Sequence, residues 1–553
     1  MRFIRNIAIS LAICLGLLSH TLNAQERVYV STDKNCYLAG EDIWLSIFCV
    51  DGDKGGYSDM SKLAYVELHS REGLQTTVKV AIMEGRGAGR FKIPFSFPTG
   101  NYSLVAFTSI DGGDSRGEFN GKVISIFNTL TAEKVEGGVE IVGKDEPVKG
   151  DGVGMAPTAG LEINVPVSGT VEGKREINVV NNTGGRVSLN VSVYHLDKLS
   201  ALVGPEGYST VPLLSRKGDF EKTGIVDHSG ETMKVRIVPK PGNAAGVAEK
   251  VVYMSALGNT DDFYSGITDA AGEVTFYTNN IYGSRDLVFE IGKDTSVRYD
   301  VEILQKKGEH KPADIPPLRI SSQMMEALQE RNINMQIAAR FEADTIFDLL
   351  PVRGTSFIGQ VEPYVYDLDA YTRFPVMGEV IAEYVKYLRI RREGKQEVLK
   401  VLWNDTGKPL LMVDGIPVQN HSIAINMDPL LVKRIEVYPR RYVLNYFIHS
   451  GVVKFITYKG DMGGIDMGNN MAVQNFRGVS YPLAFLGGKV YGKGKYPNFN
   501  NTIYWNPIVE VENGGTFNFN CVLPDYKGEF RIVVEGTDGN GKGIYCTETF
   551  KVE

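Results

Sequence analysis

Ile43-Trp44-Leu45-Ser46-Ile47-Phe48 is the stretch whose reading decides the fold. Ile43, Leu45 and Ile47 alternate with Trp44, Ser46 and Phe48, which is the two-residue period of a strand with two different faces. Upstream, Val28-Tyr29-Val30 opens a strand and Tyr37-Leu38-Ala39-Gly40-Glu41 turns the chain. Downstream, Pro98-Thr99-Gly100-Asn101 turns into Tyr102-Ser103-Leu104-Val105-Ala106-Phe107. Short alternating strands punctuated by Gly and Pro predict one β-sandwich over 25–130.

The same grammar governs most of the 553 residues. Glycine is frequent, at 61 residues without any triplet period, which places it in turns between many short strands. With 43% hydrophobic and 23% charged residues the chain has material for several cores, and its length suggests about three to five domains. Disorder as the main state is excluded. A formal charge of -7 and a pI near 5.7 argue against a nucleic-acid partner.

Met1-Arg2-Phe3-Ile4-Arg5 is a basic start, Ile7 to Leu18 is an apolar run too short to span a bilayer, and Leu22-Asn23-Ala24 ends in a small residue. Residues 1–24 are therefore expected to be a signal peptide. Its removal leaves 57 Lys+Arg against 66 Asp+Glu, a formal charge of -9. No later segment is apolar for long enough to form a transmembrane helix, so the expectation is an exported protein of the periplasm, the outer membrane or the cell surface.

Four cysteines remain, Cys36, Cys49, Cys521 and Cys546. Alternation sets Phe517, Phe519 and Cys521 on one face of a strand, and Ile544, Cys546, Phe550 and Val552 on one face of another. Cys521 and Cys546 then share a core in which they bond or simply pack; Cys36–Cys49 is the other disulfide candidate. No Cys-x-x-Cys occurs, which argues against redox catalysis and structural zinc.

After the first sandwich, 131–160 reads as a linker or long loop. Residues 161–228 read as a partial second sandwich, with strands at Gly173–Val180 and Arg186–Leu196. Residues 229–310 read as an Ig-like β module, 311–470 as a helical segment with an α+β unit, and 471–553 as a closing sandwich. Ser321 or Ser322 caps a helix running to about Phe341, whose Met324, Met325, Leu328, Ile333, Met335 and Ile337 predict a core stripe. A second helix follows Pro375, with Met377, Val380, Ile381, Tyr384 and Val385 at helical spacing. Lys386, Arg389, Arg391 and Arg392 fall on the solvated side of a strand.

Several stretches resemble known families. Ser31-Thr32-Asp33-Lys34, Tyr37…Gly40-Glu41 and Pro98 to Thr108 resemble the entry and exit of macroglobulin-like domains of the alpha-2-macroglobulin group. Thr268 to Phe276, built around Asp269 and Gly272, is similar to the turn of carboxypeptidase-regulatory-like domains. Pro409-Leu410-Leu411-Met412-Val413-Asp414-Gly415-Ile416-Pro417-Val418, then Ile435-Glu436-Val437, then Gly451 to Gly460 resemble the plug domain of TonB-dependent receptors. Asp414-Gly415 is a tight hairpin turn in that reading, Ile435–Val437 a strand entered from a short helix near Pro429, and Val452 to Thr457 a central strand. Only 92 residues follow Asp461, too few for a receptor barrel, and no TonB box is seen behind the signal segment. Thr502 to Pro507 and Asp525 to Gly536 resemble a closing macroglobulin-like sandwich. The whole order resembles a family of exported Gram-negative envelope proteins. The expected fold class is mainly β: a string of Ig-like and macroglobulin-like sandwiches with one α+β plug-like domain.

Catalytic constellations fail on inspection. The histidines are scattered, without metal-binding spacing. Ser356 lacks the following glycine of a nucleophile elbow, because Ile358 stands there. Gly536 to Lys542 has phosphate-loop glycines but sits between two strands, so it is expected to be a hairpin turn. No cysteine has the thioester setting of the macroglobulin proteinase traps. Asp51, Asp53 and Asp59 are a calcium candidate by their hard oxygens, with a solvated turn as the favoured alternative. No cofactor is expected.

The expected function is a non-enzymatic binding protein of the cell envelope, whose partner is an outer-membrane or cell-surface protein or an extracellular ligand. Asp414, Gly415, Ile416, Pro417, Arg440, Arg441 and Tyr442 are the expected contact residues. The alternatives are an accessory to TonB-dependent uptake that works with a separate barrel, and a proteinase-inhibitor-like macroglobulin relative without the thioester.

Overall fold

The computed structural model describes residues 26–51, 55–109, 122–143, 156–166, 170–171, 173–203, 227–242, 246–257, 262–279, 281–292, 294, 296–304, 315–340, 345–350, 357–359, 361–394, 396–402, 407–444, 447–460, 462–464, 468–488 and 498–553. The expected signal peptide, Ser356 and Asp53 lie outside them. Strands make up 54% of the described residues and gather into small sheets, which makes the chain a mainly β, multi-domain assembly of sandwiches.

The first sandwich follows from its strand period. Asp42–Asp51 pairs with Glu26–Thr32 on one side and Arg86–Lys92 on the other. The long strand Gly73–Met83 pairs with Leu63–Ser70 and, through Ile82 and Met83, with Gly87 and Arg86, so it carries the chain from one sheet to the next. Ile43, Leu45 and Ile47 enter the core between the layers together with Val66, Val80 and Tyr102. Gly40 makes the turn at φ +97°, and a Cβ there would lie 2.3 Å from the Phe95 ring.

The second sandwich is discontinuous, which corrects the expectation of separate modules at 161–228 and 471–553. Val187–His195 is flanked by Thr502–Val511 and by Gly528–Asp538. Lys174–Asn181 pairs with Thr516–Val522. Val191, Val193, Ile503 and Ile532 then share one core, because each central strand buries the alternate residues its distant partner also buries.

The Ig-like module is interrupted in the same manner. Thr232–Pro239 pairs with Glu273–Tyr277 and Tyr299–Leu304 in one sheet. Val251–Ala256, Phe263–Ile267 and Ser284–Ile291 form the other, which is completed by Met471–Arg477, a strand expected in the closing sandwich. The Asp269–Gly272 turn therefore joins strands of two different sheets. The Asp269 carboxylate accepts from the Ala271 and Glu273 amides, each at 2.9 Å, and holds the corner.

Two further boundaries move. Val139–Ile141, expected in the linker, pairs in parallel with Leu318–Ile320. The Met324–Arg340 helix, expected in one unit with the plug-like fold, packs instead under the first sandwich against Cys36, Leu38 and Phe127. Met324, Ala327 and Arg331 of that helix are buried and Leu328 and Met335 pack half-buried on the same cluster, while Met325 and Ile333 are exposed, so only part of the expected apolar stripe faces a core.

Residues 364–457 contribute a five-stranded sheet of their own, in the order Tyr364–Asp367, Val432–Tyr438, Val452–Thr457, Leu410–Val413 and Ile416–Pro417. Val452–Thr457 is central, as its β-branched run requires. The Met377–Tyr384 helix buries Met377, Val380 and Ile381 on one face of this sheet, beside Val413, Ile435 and Phe455.

All four cysteines are free and buried, which corrects both disulfide expectations. Cys36 points toward the 324–340 helix, whereas Cys49 points into the first sandwich, so the two occupy different cores. Cys521 and Cys546 do share a core, where they pack as thiols among Phe519, Phe530 and Phe550.

Candidate functional site

The turn Asp414-Gly415 takes φ +49° and +83°, the left-handed pair of a tight hairpin. Its carboxylate is turned inward, accepting from the Thr457 amide at 2.7 Å, the Met462 amide at 2.9 Å and the Thr457 hydroxyl. Asp414 and Gly415 are half-buried, and Ile416 and Pro417 are buried. Asp414 therefore clamps the hairpin to the central strand, while Ile416 and Pro417 pair with Val413 and Met412.

Arg440 and Arg441 are exposed, at the foot of the hairpin Tyr442–Leu444 and Phe447–His449. Tyr442 lies opposite His449, and Val443 opposite Ile448. Strand alternation turns the first pair inward and the second outward. Tyr442 is buried against the Phe357 ring, and the His449 ring sits edge-on to Tyr253 and Phe263 of the Ig-like module. Burial pushes the His449 imidazole down to about 4, so it is neutral at physiological pH. The Ser265 hydroxyl donates to the Leu444 carbonyl at 3.2 Å. On the outer face Val443 is 69% and Ile448 62% exposed. Residues 364–460 carry 14 Lys+Arg against 10 Asp+Glu, a positive unit in an acidic chain.

A second constellation was missed at the level of sequence. A cavity of about 130 Å³ opens where the first sandwich, the second sandwich and the 324–340 helix meet, lined among others by Trp44, Phe347, Phe485, Asn501 and Tyr526. Its floor is a charged network. Arg331 forks onto Glu41 at 2.9 and 3.0 Å, reaches Asp197 at 3.3 Å and donates to the Cys36 carbonyl at 2.6 Å. Lys34 lies 3.4 Å from Glu41 and donates to the Thr502 hydroxyl at 3.1 Å. Burial pushes the Glu41 carboxyl up, but Arg331 and Lys34 outweigh it and hold the group down at about 2. Arg331 is carried toward this floor by the spacing Met324, Ala327, Arg331, the apolar face of its helix, and that misplaced cation was the available signal. The Asp33, Lys34, Tyr37 and Glu41 positions that carry the macroglobulin resemblance thus bind the modules together, with the Tyr37 hydroxyl donating to Asp33 at 2.7 Å.

Asp59 is exposed and ion-paired with Lys62, and Asp51 is half-buried at the end of its strand. Among the described residues no group of three or more His, Cys, Asp and Glu side chains could hold a metal ion. Of Gly536–Lys542, the first three residues end the strand Gly528–Asp538 and Gly539–Lys542 make the hairpin turn into Gly543–Val552, with the Asp538 carboxylate accepting from the Asn540 and Lys542 amides at 2.9 and 2.8 Å. His421 is buried and accepts from the Leu399 amide at 3.1 Å, while His69 pairs with Glu67 at 2.8 Å inside the first sandwich. No described helix is long and apolar enough to cross a membrane.

No family model matches the chain, and no curated protein matches it. Among solved structures it is similar to trypsin-activated alpha-2-macroglobulin from Escherichia coli, at 9% identity and a TM-score of 0.23, over 96% of this chain and 41% of that one. Salmonella alpha-2-macroglobulin reacted with methylamine gives 9%, 0.23, 96% and 39% for the same quantities. The Yersinia pseudotuberculosis adhesin InvE is similar at 11% identity and a TM-score of 0.14, over 67% of this chain and 72% of that chain. The chain spans about two fifths of the length of the two macroglobulins. At such TM-scores these likenesses carry no activity over to this chain.

Proposed function

We propose that the chain is a non-enzymatic, exported binding protein of the cell envelope, which holds its plug-like unit out from a scaffold of β-sandwiches toward an outer-membrane partner. The observation that carries this reading is the Arg440–His449 segment: its inner face is anchored on the Ig-like module, while two arginines and two aliphatic side chains stand exposed. Exposed apolar pairs beside arginine are the composition of contact surfaces. Three histidines support a non-enzymatic role, since His421 and His449 are buried and held neutral and His69 is paired.

The test is photo-cross-linking in intact cells, with a photoreactive residue at Val443 and a control at the exposed Leu74 of the first sandwich. Adducts with an envelope component from position 443 and none from 74 are expected. No adduct from 443, with the protein free in the periplasm, would overturn the reading. The plug resemblance of 409–460 favours a second form of it, an accessory to TonB-dependent uptake, for which the adduct would be a separate barrel protein.

A further inference from the structure

We infer that the outer face of the strand pair Tyr442–Leu444 and Phe447–His449 docks on an anionic, phosphate-bearing lipid surface. The inference rests on the reading of the hairpin as the contact segment and names what it contacts. Val443 and Ile448 are direct cross-strand partners, exposed at 69% and 62%. Alternation sets Arg441 on the same side as Val443, and Arg440 stands exposed beside it. A pair of aliphatic tips next to guanidinium groups matches the membrane interface: the tips enter the acyl boundary and the guanidinium groups fork onto lipid phosphates. Arginine is suited to this because its charge persists at every working pH and its donors fit phosphate oxygens two at a time.

The opposite face explains how so short a hairpin keeps its aliphatic side outward. Tyr442, Leu444 and His449 pack into the cluster formed with Phe263, Leu410 and Val452, so a flip would expose that cluster. Charge complementarity favours lipid over an apolar protein groove. The plug-like unit is net positive in a chain of net charge -7, so it is the part of the protein that an anionic bilayer attracts while the remainder is repelled. Two arginines and two aliphatic tips give reversible docking rather than insertion.

The mature protein is tested by co-sedimentation with phosphatidylglycerol vesicles and with phosphatidylcholine vesicles. Binding is expected to the first and not the second, and to weaken as salt rises. Arg440→Glu with Arg441→Glu should reduce binding to phosphatidylglycerol about tenfold or more. Val443→Ser with Ile448→Ser should do so at unchanged charge and unchanged circular dichroism. Equal binding to both vesicles, no binding to either, full binding by the serine variant, or displacement by inorganic phosphate at unchanged ionic strength would each overturn the inference. If vesicles fail but position 443 still cross-links to an envelope protein, the lipid assignment falls and the binding reading stands. If both fail, both fall.

Discussion

Arg331 and Glu41 form a two-hydrogen-bond pair at 3% and 9% side-chain exposure, where removing one partner leaves a buried charge with only a longer-range counter-ion, Lys34 at 3.4 Å for Glu41 or Asp197 at 3.3 Å for Arg331. Arg331→Met should cost about 3–5 kcal/mol in urea unfolding, and adding Glu41→Gln should recover part of that loss. Proton linkage gives the pair an acid limb. Glu41 is held at about 2 in the folded chain against 4.5 in the reference, so the unfolded chain takes up the proton first as pH falls. The contribution is fully present above pH 4.5 and lost between 4.5 and about 2, and Glu41→Gln should flatten the unfolding midpoint over that window. The thiols make a second residue-scale case. Burial pushes Cys36 and Cys521 up to about 12, so alkylation of the native protein should spare both, while denatured protein should react at all four positions without prior reduction. Reading Cys521 and Cys546 onto one core needed only strand alternation. Whether they bond depended on the side chains packed around them, which alternation does not specify.

At the scale of elements, the hairpin closed by Asp414-Gly415 was legible because a two-residue Asp-Gly turn has few solutions. Its anchoring was not, since the amides of Thr457 and Met462 that bind the carboxylate come from 43 and 48 residues away. Asp414→Ala should destabilise the unit by about 1–3 kcal/mol, and Asp414→Asn by less, because asparagine keeps an acceptor and tolerates positive φ. Thermal unfolding of the two variants measures the difference. The 324–340 helix teaches the converse lesson. Its methionine pattern predicts a core stripe, but the face that packs on the first sandwich holds Met324 and Met335 and leaves Met325 and Ile333 outside. Composition located the helix; the surface it meets selected the face.

At the scale of the molecule, the modules are nested. The second sandwich is left after Val187–His195 and resumed at Thr502, where the His195 amide donates to the Asn501 carbonyl at 2.8 Å, but Thr345–Leu349 and Leu483–Gly488 of the intervening chain extend the same sheet beside Thr502–Val511. A chain with 197–500 replaced by a short glycine-rich linker should therefore keep Val187–His195 between its two neighbours and stay soluble, but unfold at lower urea than the full chain, because it loses these two strands and the Arg331 network. Deleting 498–553 should strip Val187–His195 of both neighbours and give aggregated protein; size-exclusion chromatography of the two products separates these outcomes. By itself the amino-acid sequence determined the strand period, the turns and the four strands that the 409–460 motifs mark, because each depends on residues within a few positions of one another. Only the tertiary structure decided which strands from the two ends of the chain share a sheet, that the thiols stay free, and that Glu41, Asp197 and Arg331 converge on one cavity floor. Those features are pairings between alternating strands that look alike locally, and the choice among such pairings is made by the whole core at once.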